Sequence, residues 1–135
     1  MKLIDVTTNV ELVLPPDMLW EDEFLWSPVV SKLDYSLTGA AIIQSGVKQK
    51  GRPITLVGGD ESMCWVQRST VETLYSWLTP ANRVMTFIPG YDGDTRTFSV
   101  VFRHHEKALE VSSVKGFPDY SAEEWFKIKL SLMEI

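Results

Sequence analysis

One segment of this chain, residues 69–80, reads as a helix, and every other patterned segment reads as a strand. That imbalance constrains the fold more than any other feature. Ser69-Thr70-Val71-Glu72 has the form of a capping box. In such a box the serine hydroxyl accepts from the amide three residues on, and the glutamate side chain reaches back to the serine amide. Val71, Leu74, Tyr75 and Leu78 recur at i, i+3, i+4 and i+7, which makes one apolar stripe. Pro80 closes the segment. A helix over about residues 70–79 is too short to persist alone in water, so its stripe must lie on a sheet.

The strand-like segments supply that sheet. Val10–Leu14 is β-prone and ends at Pro15-Pro16, which cannot continue a ladder. Leu33–Gln44 alternates at Leu33, Tyr35 and Leu37, the pattern of a half-buried strand, with Gly39 marking a bulge or bend. Gly46–Gly51 reads as a polar turn, Ile54–Val57 as a strand closed by Gly58-Gly59-Asp60, and Met63–Val66 as a further short strand. Val84–Ile88 and Arg96–Arg103 form a hairpin about Pro89–Thr95, with Phe98, Val100 and Phe102 on one face. Ala108–Val114 is a strand, Lys115–Tyr120 a loop, and Trp125–Ile135 a last strand with Phe126, Ile128, Leu130 and Leu132 to one side. Strands at such spacing predict a mainly β fold, an antiparallel β-sandwich or barrel with a single α-helix, built as one domain over residues 1–135. Leu74, Leu78, Phe98, Phe102, Ile128 and Leu130 are expected to share its core.

Composition narrows the function classes. With 44% hydrophobic and 23% charged residues the chain is globular rather than disordered. A net charge of −5 argues against nucleic-acid binding through phosphate contacts, which need a basic face. A lone cysteine, Cys64, excludes an internal disulfide and fits a reducing compartment. Met1-Lys2-Leu3-Ile4-Asp5 meets an acid before any leader-like apolar run forms, and no apolar run approaches the roughly 20 residues of a membrane helix. The expectation is a soluble protein made in the cytoplasm, without membrane contact.

No pattern of catalysis or metal binding stands out. His104-His105-Glu106 places neighbouring ligand types on opposite faces of a strand. Asp92-Gly93-Asp94-Thr95 lacks the closing glutamate and the length of a calcium loop. Gly58-Gly59-Asp60-Glu61-Ser62 lacks the Lys-Ser/Thr of a phosphate loop, and no Gly-x-Ser-x-Gly elbow occurs. Cys64, between Met63 and Trp65, reads as a packed small residue. The expectation is a protein that is not an enzyme and takes no metal or cofactor.

Two surface features point instead to protein contacts. Residues 17–32 have no clean period, and there Trp20, Phe24 and Trp26 sit around Glu21, Asp22 and Glu23. This is either a loop pinned to the core by its aromatics or an adhesive arm that docks on a neighbouring subunit. Lys48, Lys50 and Arg52 form a basic cluster on an acidic background. They are either solvated turn residues or the partners of acidic residues across a subunit boundary, where charge sets register and on-rate. The candidate assembly interface is therefore Trp20, Phe24, Trp26, Lys48, Lys50 and Arg52.

The order of these features carries a resemblance. A tryptophan-bearing N-terminal segment leads to Gly51-Arg52-Pro53-Ile54-Thr55-Leu56 with Gly58 just after. A helix with Leu74 and Leu78 follows, then strands around Phe87, Phe98 and Val111, and a final amphipathic strand ending Leu130-Ser131-Leu132-Met133-Glu134-Ile135. In this layout the chain resembles small tail or baseplate proteins of Pseudomonas-type temperate siphophages. It is also similar to the N-terminal domain of distal tail proteins and to the tail protein U family of contractile phages. The resemblance implies a tail-tube-like β-sandwich with a flanking helix, assembled as a homo-oligomeric ring with other phage tail proteins. It implies a place in the virion tail and no catalytic residues. The chain departs from the distal tail proteins in having no second, larger domain and no long insertion. A small phage-encoded binding module that inhibits a host protein is the alternative function, and oligomeric state separates the two.

Overall fold

A computed structural model describes residues 1–116, 121 and 123–135. Among these, the strands are β1 (Lys2–Asp5), β2 (Glu11–Val13), β3 (Met18–Trp20), β4 (Val29–Tyr35), β5 (Ala41–Val47), β6 (Pro53–Gly58) and β7 (Trp65–Gln67). The helix α1 (Arg68–Leu78) follows, then β8 (Met85–Ile88), β9 (Phe98–Phe102), a 3-10 turn at His104–Glu106, β10 (Leu109–Ser113) and β11 (Trp125–Glu134). The fold is mainly β with one α-helix and antiparallel sheets, as the sequence predicts.

The last strand organises the main sheet. Nine strands run in the order β2-β1-β8-β9-β11-β6-β3, with β10 and β7 also paired to β11. The ten residues of β11 serve four partners. Its first half lies between β10 and β7, and its second half between β9 and β6. On one side β9 and β10 are a single line along β11, broken by the excursion at 103–108, where Arg103 donates to the Ser131 carbonyl and Ser131 to that of Ala108. On the other side β6 and β7 are broken likewise at 59–64, and Ile128 donates to the Cys64 carbonyl. This explains the short strand at 65–67 where the sequence reads 63–66. Cys64 takes a left-handed backbone (φ 64°), so extended pairing begins only at Trp65. Burial, with the Asp17 carboxylate second, pushes the Cys64 thiol up to about 11.

The outer strands β2 and β3 do not pair with each other, so the sheet is open. It nevertheless curls strongly. Trp20 on β3 meets the ring of Phe87 on β8 edge-on at 6.2 Å and that of Phe98 at 5.3 Å, although three strands separate β3 from β8 in the order. The Tyr91 hydroxyl closes the same gap, accepting from the Trp20 amide and donating to the Met18 carbonyl, both at 3.3 Å. The core lies inside this curl. Leu74, Phe102, Ile128 and Leu130 are buried in it, with Leu78 and Phe98 packed against it, as expected from the sequence.

Helix α1 corrects the capping box. Gln67 is the N-cap, extended at φ −76° and ψ 156°, with no side-chain cap, and Ser69 already lies within the helix. The chain enters α1 straight from β7, and the Arg68 amide donates to the Glu124 carbonyl at 2.8 Å. Tertiary structure thus supplies a partner at the helix start, and Glu72 pairs with Arg68 instead. The buried face is also rotated. Leu74 and Trp77 are buried, whereas Tyr75 is exposed. Ser69→Ala is therefore expected to change stability by less than about 0.5 kcal/mol, the range of ordinary surface substitutions. Denaturant midpoints check this, and a loss of about 1 kcal/mol would restore the cap.

Candidate assembly surface

The structure divides the six predicted interface residues. Trp20 is 3% exposed and belongs to the core, so it offers nothing to a partner. The adhesive-arm reading of this tryptophan is corrected by its neighbours. Its indole is stacked on by the Arg52 guanidinium at 4.7 Å and the Arg96 guanidinium at 5.4 Å, and its Nε1 donates to the Pro53 carbonyl at 3.4 Å. Arg52 is half-buried and donates from Nη2 to the Glu23 carbonyl at 2.7 Å. Trp26 is half-buried with the Lys48 ammonium 5.5 Å over its ring. Phe24 and Lys50 are exposed, Phe24 at 88%.

The acidic run beside them is engaged within the chain. Asp22 accepts from the Thr55 amide at 2.9 Å and from the Thr55 hydroxyl at 2.8 Å, which carries the β3–β6 contact past the end of β3. Thr55 in turn accepts from the buried Arg103 at 2.7 Å. The Glu23 carboxylate accepts from Arg96 at 2.7 Å, and Arg96 also clamps Asp94 at 2.8 Å. The Arg96 hydrogen bonds hold the Asp94 carboxyl below its ordinary range. Asp22 and Glu23 are thus already paired inside one chain, and Arg52 with them.

A run of exposed apolar residues lies elsewhere, in a segment read from sequence partly as a half-buried strand over 33–44 and partly as a polar turn over 46–51. Here β4 and β5 form a separate two-stranded hairpin, with all fourteen strand residues exposed. Neither strand pairs with the nine-stranded sheet. The turn between them is closed by Ser36, which donates to the Ala40 carbonyl at 2.9 Å, while Gly39 supplies the left-handed residue at φ 83°. Leu37 sits fully exposed at the tip. At the base the Lys48 amide donates to the Pro28 carbonyl at 2.7 Å. Seven residues of strand project about 23 Å at roughly 3.3 Å per residue.

This arm has two unlike faces. The register pairs Val29 with Val47, Ser31 with Ser45, Leu33 with Ile43 and Tyr35 with Ala41, and these share one face. Val30, Lys32, Asp34, Ile42 and Gln44 lie on the other, which mixes apolar with charged side chains, and Lys32 and Asp34 are 3.4 Å apart. Leu33 is 52% exposed, Ile43 67% and Tyr35 70%. A hairpin of two strands is marginal in water, and a third element over its apolar face is the usual source of stability. Neither of its long edges pairs with another strand among the described residues, and open edges invite strand addition. The alternation at Leu33 and Tyr35 is visible in the sequence, although Val29-Val30 and Ala41-Ile42-Ile43 break it and Gly39 reads as a bend within one strand rather than the turn of a hairpin. What the sequence lacked was any sign that no covering layer comes from the described residues.

Among the described residues no cluster of three or more His, Cys, Asp or Glu side chains is placed to hold a metal ion. His104, His105 and Glu106 lie exposed in the 3-10 turn rather than on a strand end. No helix among the described residues is long and apolar enough to cross a membrane. No protein-family model, curated protein or solved structure matches this chain.

Proposed function

We propose that this chain is a structural subunit of a bacteriophage tail, a distal tail, baseplate or tail-end ring protein that works through subunit contacts. The observation that carries the reading is the β4–β5 arm, which presents an apolar face with no partner strand among the described residues. An exposed apolar face of this extent marks a contact surface. The phage assignment rests on the sequence resemblance, in which the strongly curled sheet and its one helix take the part of the tail-tube-like sandwich. In that reading the partners are copies of the chain in a ring and other tail proteins of the virion. The contact surface is the arm, with Phe24 and Lys50 close to it in sequence, rather than Trp20.

The test exploits the arm's independence from the core. Leu33→Ser with Ile43→Ser removes apolar area from residues that are exposed already, so circular dichroism and the melting temperature are expected to stay near those of the parent. Complementation of a phage lacking the gene is then expected to yield few infectious particles, with the variant missing from purified tails. A folded double variant that enters particles and restores full infectivity would sink the proposal.

A further inference from the structure

We propose that the arm's acceptor is a second copy of this chain, and that the arm docks by adding a strand to the open edge of β10 beneath α1. This rests on the assembly reading above and names its partner surface. Strand β10 pairs with β11 along one side, and among the described residues no strand pairs with its other side. Between that strand and α1 runs a groove of about 720 Å³, walled by Val71, Tyr75, Leu78, Leu109, Val111 and Phe126. Tyr75 is 64% exposed and Val111 40%, so two of these apolar side chains await cover. A helix beside an open strand edge is the geometry that takes an extended segment. The edge supplies main-chain hydrogen bonds, and the groove takes alternate side chains.

The arm fits that geometry on both faces. Along β10, Leu109 and Val111 line the groove, and by strand alternation Glu110 and Ser112 lie on the opposite face. Along the arm, Val29, Leu33 and Tyr35 alternate with Val30, Lys32 and Asp34. A strand of the arm laid on β10 with its apolar face toward α1 puts Lys32, with its own-chain partner Asp34, on the same side of the joined sheet as Glu110, to which the lysine is opposite in charge and the aspartate alike. The five residues of β10 match five of the arm's seven. Donor and acceptor are present once each on every chain and do not cover each other within it. Repeated between copies, they make a heterologous contact that closes into a ring when the rotation allows.

Cross-linking of the full chain tests this. Leu33→Cys and Val111→Cys are made separately, mixed and mildly oxidised; native Cys64 is fully buried and does not compete. The mixture is expected to give several-fold more disulfide-linked dimer than either variant alone. Equal dimer from Leu33→Cys alone would mean arm-to-arm pairing and would overturn the inference. So would absence of cross-links together with a monomer throughout the micromolar range by sedimentation. In a chain without new cysteines, Val111→Lys is expected to abolish self-association while leaving the melting temperature near that of the parent, because Val111 is exposed. Association unchanged by Val111→Lys overturns the inference as well. If copies do not associate but the Leu33→Ser, Ile43→Ser variant is still excluded from particles, the arm has another partner, and the assembly reading stands without this acceptor. If that variant enters particles normally, the assembly reading itself falls.

Discussion

Trp20→Ala is expected to cost about 3–5 kcal/mol, the range for truncating a large buried aromatic. The indole joins strands that the sheet order keeps apart, with its edge on Phe87 and Phe98 and two guanidinium groups stacked over it. Its removal opens a cavity where the curled sheet meets itself, and it takes from the half-buried Arg52 the nearer of its two aromatic surfaces, leaving Phe98 at 6.0 Å. Trp26→Ala is the matched control. That ring is half-buried and carries one ammonium contact, so about 1 kcal/mol is expected, the scale of an exposed cation–π pair. Denaturant midpoints by circular dichroism compare the two. Equal small losses would return Trp20 to the role of a surface anchor and would undo the account of the curl. The same result bears on assembly experiments, because a Trp20 variant absent from particles would report misfolding and not a lost contact.

Asp5→Ala is expected to be the most damaging change of a charged residue, at about 3 kcal/mol, the low end for breaking a buried ion pair. The carboxylate is fully buried and accepts from three donors. These are the Arg83 Nη1 at 2.6 Å, the Thr8 hydroxyl at 2.8 Å and the Thr7 amide at 3.1 Å. Its own backbone closes the turn between β1 and β2, donating to the Val10 carbonyl at 3.0 Å and accepting from Asn9 at 2.8 Å. The low end applies because the Arg83 side chain is 21% exposed and recovers some hydration when its partner is lost. Asp5→Asn keeps the shape and part of the hydrogen bonding, so its loss should be smaller. A shift below about 1 kcal/mol for Asp5→Ala would show that the pair only offsets its own desolvation.

Several elements were legible before the structure. The hairpin about residues 89–95 follows from Pro89-Gly90 and Asp92-Gly93 between alternating runs, and β8 and β9 pair across it. The last strand follows from Phe126, Ile128, Leu130 and Leu132, and β11 covers nearly the predicted span. The helix was placed to within two residues, because a 3.6-residue period over one segment is hard to mistake. The lysine and aromatic candidates fared differently. Phe24 and Lys50 are at the surface, but Trp20 and Arg52 had gone to the core and its margin, drawn there by Phe87, Phe98 and Glu23, which lie far away or point inward. Part of the Lys115–Tyr120 loop, residues 117–120, lies outside the described residues.

By itself the sequence determined the helix, the hairpin about residues 89–95 and the last strand, because those depend on local period and on glycine and proline; it did not mark β1 or β3 as strands, and it joined β4 and β5 into one strand bent at Gly39. Only the tertiary structure decided which of those faces receives a second layer. Alternation at Leu33, Tyr35 and Leu37 is the same whether a strand lies on a core or stands clear of it. Ser69 has the form of a cap whether or not the Glu124 carbonyl already meets the helix start. Trp20 is a loop aromatic until the sheet curls and brings β8 against β3. Burial is a property of what arrives from elsewhere in the chain, and for the β4–β5 arm no strand or helix among the described residues arrives.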